Sequence, residues 1–162
     1  MDKIEFTKHM KFWLEKFAKS KYPEYDIEIL IPNSTLDLLQ NINLKKVVNI
    51  GLMKFKPDIL GILIHKKSKK IELIFLNRET KKFGLKELGE MLCYCRIAQP
   101  KLALMASLHG LSPAVDRLIN HLKNNQIITY DDNQIKIFRW DEDSNKIDEY
   151  SITPVESKLF FN

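Results

Sequence analysis

The chain has 162 residues, 44% of them apolar and 29% charged, which are ordinary for a globular protein and suit one domain. Its 26 Lys and Arg outnumber 21 Asp and Glu, and the net charge of +5 suits a polyanionic partner. No apolar run nears the ~20 residues of a membrane span, and residues 1–20 do not read as a signal peptide.

Residues 4–19 place Phe6, Met10, Trp13, Leu14 and Phe17 at spacings of three and four, which predicts an amphipathic helix. Pro23 closes it. Residues 25–31 alternate as a strand, and Pro32-Asn33-Ser34 breaks it. Ser34 or Thr35 is placed to cap a short helix through Leu39, and a short strand is expected near residues 46–50.

Residues 58–64 and 70–76 form two apolar runs joined by a Lys-rich turn. Runs of this kind predict a hairpin buried on both faces. With Lys67-Ser68 at the centre of the turn, Asp58 faces Asn77 across the pair. A helix follows at 85–98, then an apolar strand at 102–108. Ser112 caps a helix with Pro113 in its first position, expected to run to about residue 123. Residues 127–130 and 134–140 are expected to pair as the last strands, with the tail from 150 to 162 adding a short element or a partner contact. The two cysteines, Cys93 and Cys95, point apart on their helix. Reduced thiols in a cytoplasmic protein are expected.

The order α-β-β-β-α-β-α-β-β implies an α/β fold, a mixed sheet with helices on both faces. Together with Pro57-Asp58 at the head of a strand, Leu85-Lys86-Glu87-Leu88-Gly89-Glu90-Met91-Leu92-Cys93-Tyr94 on the following helix, and Leu104 to Ser107 before Gly110 and Ser112, it resembles the PD-(D/E)xK nuclease superfamily, the restriction-endonuclease-like fold. The resemblance covers roughly residues 5–125 of one domain spanning 1–162. It implies cleavage of DNA assisted by Mg²⁺ or Mn²⁺, often by a homodimer. An Asp and a Glu hold the metal, and a Lys two residues after the Glu activates water.

The second motif of that family departs here. Asn77-Arg78-Glu79 stands where Glu-x-Lys belongs. The candidate catalytic set is therefore Asp58, Asn77, Glu79 and Glu90, with Asp58 and Glu79 as metal ligands. Glu87 is a second candidate on the helix, and Glu15 an outer acidic contributor. Glu72 sits too near the turn. Lys66, Lys67, Lys69, Lys81 and Lys82 are candidate nucleic-acid contacts. The alternative for the Lys66–Lys70 group is a solvated hairpin tip that guards a strand edge. The departure also motivates a second reading, a catalytically inactive nuclease-fold module that binds DNA or a partner protein. A third takes the last strands and tail as a docking surface in a larger complex. His9, His65, His109 and His121 have no zinc-ligand spacing.

Overall fold

The computed structural model describes residues 1–33, 40–41, 43–46 and 57–162. The helix expected at 35–39 lies outside them, as does nearly all of the strand expected near 46–50; Leu44–Lys46 form a single 3-10 turn.

Helix α1 spans Lys3–Lys21. Asp2 caps it by accepting the Glu5 amide at 2.8 Å, and Phe6, Met10, Leu14 and Ala18 form its buried stripe. Strands β1 (Tyr25–Leu30), β2 (Ile59–His65) and β3 (Ile71–Glu79) make an antiparallel meander. The β2–β3 ladder runs from Ile64↔Ile71 to Ile59↔Leu76, so the turn is centred on Lys67-Ser68 as the apolar runs predicted. Helix α2 (Leu85–Ala98) crosses over to β4 (Leu102–Ser107), which lies parallel to β3.

Alternation divides the core into two layers. Leu60, Ile62, Leu73 and Phe75 pack with Leu88, Met91 and Cys95 of α2. Ile59, Leu63, Ile74 and Leu76 pack with Phe6, Met10 and Leu14 of α1. Gly61 permits a close strand approach, since a Cβ there would lie 2.9 Å from that of Ile74.

The C-terminal third corrects two expectations. Helix α3 is regular only over Pro113–Asp116, then widens into a π turn at Arg117–His121. There the Leu122 amide reaches back to the Arg117 carbonyl at 2.8 Å, and Asn120 donates to Asp116 and Thr153. The expected pairing of 127–130 with 134–140 is confined to β5 (Thr129–Tyr130) and β6 (Asn133–Gln134). Strand β7 (Lys136–Asp141) then joins the main sheet parallel to β4. It carries β8 (Lys146–Thr153) at the edge, giving the order β1-β2-β3-β4-β7-β8. Strand β8 escaped the sequence reading because Asp148, Glu149 and Tyr150 leave no apolar run in it; an edge strand buries little. The tail folds back as helix α4 (Lys158–Phe161), whose Phe160 and Phe161 rings pack on Phe17 while Phe161 also meets Trp13. Among the described residues, no helix is long and apolar enough to cross a membrane.

Candidate functional site

The expected site lies where β2 begins and β3 ends. Beyond the last pair of the ladder, the Asp58 amide donates to Asn77 Oδ1 at 3.1 Å, so Asp58 and Asn77 do face each other. Strand parity sets the rest. Asn77 and Glu79 fall on the face of Leu73 and Phe75, toward α2. Arg78 falls on the face of Ile74 and Leu76, toward α1.

Arg78 therefore meets helix α1, where its Nε donates to Thr7 Oγ1 at 2.6 Å. Its Nη1 lies 3.2 Å from Asp58 Oδ1, and its backbone amide donates to Asp58 Oδ2 at 2.9 Å. Both carboxylate oxygens of Asp58 are thus held by one residue. The Arg78 side chain is only 10% exposed and Asp58 32%, so the guanidinium is the more deeply enclosed partner. Nη1 has the ion pair but no well-directed hydrogen bond. The pair lines a cleft of about 360 Å³ that also takes in Ile4, Lys8 and Pro57.

The other expected residues are dispersed. The Glu79 carboxylate accepts the Thr80 amide at 3.0 Å. Glu87, in the first turn of α2, accepts the amide of the N-cap residue Gly84 at 2.9 Å, a capping-box contact. Glu90 is exposed on α2. It lies near Tyr94, whose hydroxyl is pushed up to about 12 by burial first, then by the charges of Glu90, Cys93 and Asp58. Glu15 pairs with Lys19 at 2.8 Å. Glu72, at the far end of β3, is hydrogen-bonded by Tyr25 and paired with Lys70 and Lys101 at 3.2 and 3.3 Å.

The lysines separate into two groups. Lys81 and Lys82 are exposed at the Asp58 end. Their loop is pinned where Ser107 donates to the Lys81 carbonyl at 2.7 Å and Phe83 bonds Gly110 and Ser112. Lys66, Lys67 and Lys69 sit on the hairpin tip, roughly 25 Å along the strands from Asp58. Lys66 donates to the Pro23 carbonyl there. One compact ligand cannot touch both groups.

A divalent ion does not fit this arrangement. Among the described residues, no three His, Cys, Asp or Glu side chains are placed to hold a metal. The Asp58 carboxylate is engaged by a guanidinium, the Asn77 oxygen accepts a backbone amide, and the guanidinium would repel the ion. Arg78 and Thr7 were not on the expected list. The signal was present, because period two puts Arg78 on the α1 face and Thr7 lies in the buried part of α1. No family model, no curated protein and no solved structure matches this chain.

Proposed function

We propose that this chain is a non-cleaving nucleic-acid-binding module on a restriction-endonuclease-like scaffold, with a fixed guanidinium in place of the metal. The scaffold reading is supported by the antiparallel meander β1-β2-β3, the α2 crossover and the parallel β4, with α1 packed on the opposite face. The observation that carries the functional reading is the Asp58–Arg78 pair at the strand ends. A metal bound there would neutralise a phosphate and supply an activated water. The enclosed guanidinium is already committed to Asp58 and Thr7 and carries no water to deprotonate, so hydrolysis is not supported there and phosphate contacts fall to the exposed cations around the pair. Lys8, Lys81 and Lys82 add cations at the same end of the sheet.

Fluorescence anisotropy with a short DNA duplex in EDTA tests this. Binding should persist without divalent ions and weaken steeply with salt. The double substitution Lys81→Glu and Lys82→Glu should weaken it further, and no nicking should appear with Mg²⁺ or Mn²⁺. Cleavage in Mn²⁺ that is lost in Asp58→Ala would overturn the proposal in favour of a metal-dependent nuclease using Asp58, Glu79 and Glu90. Absence of duplex binding at low salt would overturn it as well.

A further inference from the structure

Strand β1 is the outer strand at one end of the main sheet, and its pairing with β2 runs unbroken from Tyr25↔His65 to Leu30↔Leu60. The Lys66 amide donates to the Glu24 carbonyl at 3.0 Å, which fixes the phase of this ladder. Successive residues of an antiparallel strand turn their backbone groups to opposite sides. Asp26, Glu28 and Leu30 therefore turn N–H and C=O toward β2, while Ile27 and Ile29 turn theirs away from the sheet. Among the described residues, no hydrogen bond reaches these outward groups of Ile27 and Ile29. The Tyr25 amide, just ahead of them, is taken by the Tyr22 carbonyl at 3.1 Å.

The two edges of the sheet differ. Strand β8 loses its register between Ile137 and Arg139, where Ser151 Oγ accepts the Arg139 amide at 2.7 Å and Asp148 accepts the Tyr150 amide at 3.1 Å. Such a break keeps an edge from pairing with another chain. Strand β1 has no break, and its sequence Tyr-Asp-Ile-Glu-Ile-Leu holds no Pro, Gly or Lys. In a chain of net charge +5 this edge is acidic: Asp26 and Glu28 stand exposed on one face, with exposed Glu24 just ahead of them. Among the described residues none of these carboxylates has an ion-pair partner. The opposite face, Tyr25, Ile27 and Ile29, packs toward α1.

We propose that β1 takes a further strand from a partner protein: an extended basic segment with Lys or Arg at every second position and apolar residues between them. Its backbone meets the free N–H and C=O groups of Ile27 and Ile29, the mode of recognition by strand addition. Cross-strand neighbours share a face, so its cations stand opposite Asp26 and Glu28 while its apolar residues lie beside Ile27 on the α1 side. A second copy of this chain is the wrong occupant, because the twofold pairings that overlap most of β1 set like charges face to face. Centred on Ile27, such a pairing puts Asp26 opposite Glu28 of the second copy; centred on Glu28, it brings the two Glu28 carboxylates together. Nothing in this proposal depends on the Asp58–Arg78 pair.

The probe is a labelled peptide of about seven residues alternating Lys and Val, followed by fluorescence anisotropy and by amide exchange read by NMR. Binding should slow exchange at Ile27 and Ile29 and leave the amides of Asp26 and Glu28, already paired with β2, unchanged. A peptide of the same composition with its lysines consecutive should bind roughly tenfold more weakly. Asp26→Lys combined with Glu28→Lys alters exposed side chains and should turn the preference toward a peptide alternating Glu and Val. Ile27→Pro removes an N–H that has no partner in the sheet, and should abolish binding of the Lys-Val peptide. Ile27 is partly buried, so the charge-reversed protein and the exchange pattern decide the matter if the proline variant does not fold. No binding at low salt, equal affinity for the two basic peptides, or binding without protection of Ile27 and Ile29 overturns the proposal. Protection of these amides that grows with protein concentration in the absence of peptide also overturns it, and assigns the edge to a second copy.

Discussion

Replacing Asp58 by Ala separates an ion pair from a metal-ligand site by the sign of its effect on stability. In the structure the change removes the acceptor of the Arg78 amide at 2.9 Å and the partner of its guanidinium at 3.2 Å. Thr7 still accepts from Nε, but a side chain only 10% exposed cannot regain water without moving. Stranding one partner of a fully buried pair costs roughly 3–5 kcal/mol. Asp58 is 32% exposed, so solvent screens part of this, and a loss of about 2 kcal/mol is expected. In a metal site the sign reverses, because deleting one of two clustered carboxylates relieves repulsion in the metal-free protein. Urea unfolding in EDTA measures the difference, and a loss of about 2 kcal/mol should lower the midpoint by roughly 1 M. The double variant Asp58→Ala with Arg78→Met should be more stable than Asp58→Ala alone, since no charge is then left stranded. An Asp58→Ala protein that unfolds at the same or higher urea concentration than the parent would refute the ion-pair reasoning.

Gly61→Ala should destabilise by about 1–3 kcal/mol, read as a lower melting temperature, because the new methyl lands 2.9 Å from Ile74 Cβ and 3.2 Å from Ile29 Cδ1. Burial tends to raise the Glu72 carboxyl, but hydrogen bonds from Tyr25, Lys70 and Lys101 outweigh it and hold the group below the ordinary carboxylate range. Its stabilisation is therefore present above the unfolded value, near pH 4, and lost as pH falls through the lower folded value. Glu72→Gln should flatten the acid limb of a stability–pH curve below about pH 4, and an unchanged limb would count against the network. An aromatic disulfide reagent should titrate one thiol, exposed Cys93, in the native protein and two after unfolding. Burial holds the Cys95 thiol protonated well above its ordinary range, so a second native thiol reacting at the same rate would contradict its placement.

The hairpin was legible because two apolar runs flank a Lys-rich turn, and centring that turn on Lys67-Ser68 places Asp58 opposite Asn77, as the ladder does. Helix α1 was legible from Phe6, Met10 and Leu14; for helix α2 the spacing of Leu85, Leu88, Leu92 and Cys95 or Arg96 gave the element but not its face, since Leu85 is exposed and Met91 and Tyr94 are buried beside Leu88 and Cys95. The C-terminal strands were not. Thr129 to Gln134 reads as a hairpin and is one for two residues on each side, yet nothing local says that Lys136 onward leaves it to lie beside β4. That choice is made by Ile137, Phe138 and Trp140 finding the two core layers, a long-range fact. At the site, sequence spacing gave the face of each strand residue but not the reach of its side chain. By period two Arg78 falls on the opposite face from Asn77 and Glu79. Its long side chain nevertheless comes round the end of the strand to the Asp58 carboxylate.

The same reach explains how one strand end supports either chemistry. Adjacent antiparallel and parallel strands bring Asp58, Asn77 and Glu79 to one edge whatever they do there. With a carboxylate at position 77, two like charges would stand in register and call for a cation from solution. With Asn77 the pair carries one negative charge, which a single guanidinium balances. Arg78 supplies that charge from within the chain and is anchored to α1 through Thr7, so the cation is permanent. A permanent cation has no exchangeable water and no second coordination site for a scissile phosphate. Under the proposed function, a nucleic-acid strand at this end would meet the exposed Lys8, Lys81 and Lys82 instead of a metal.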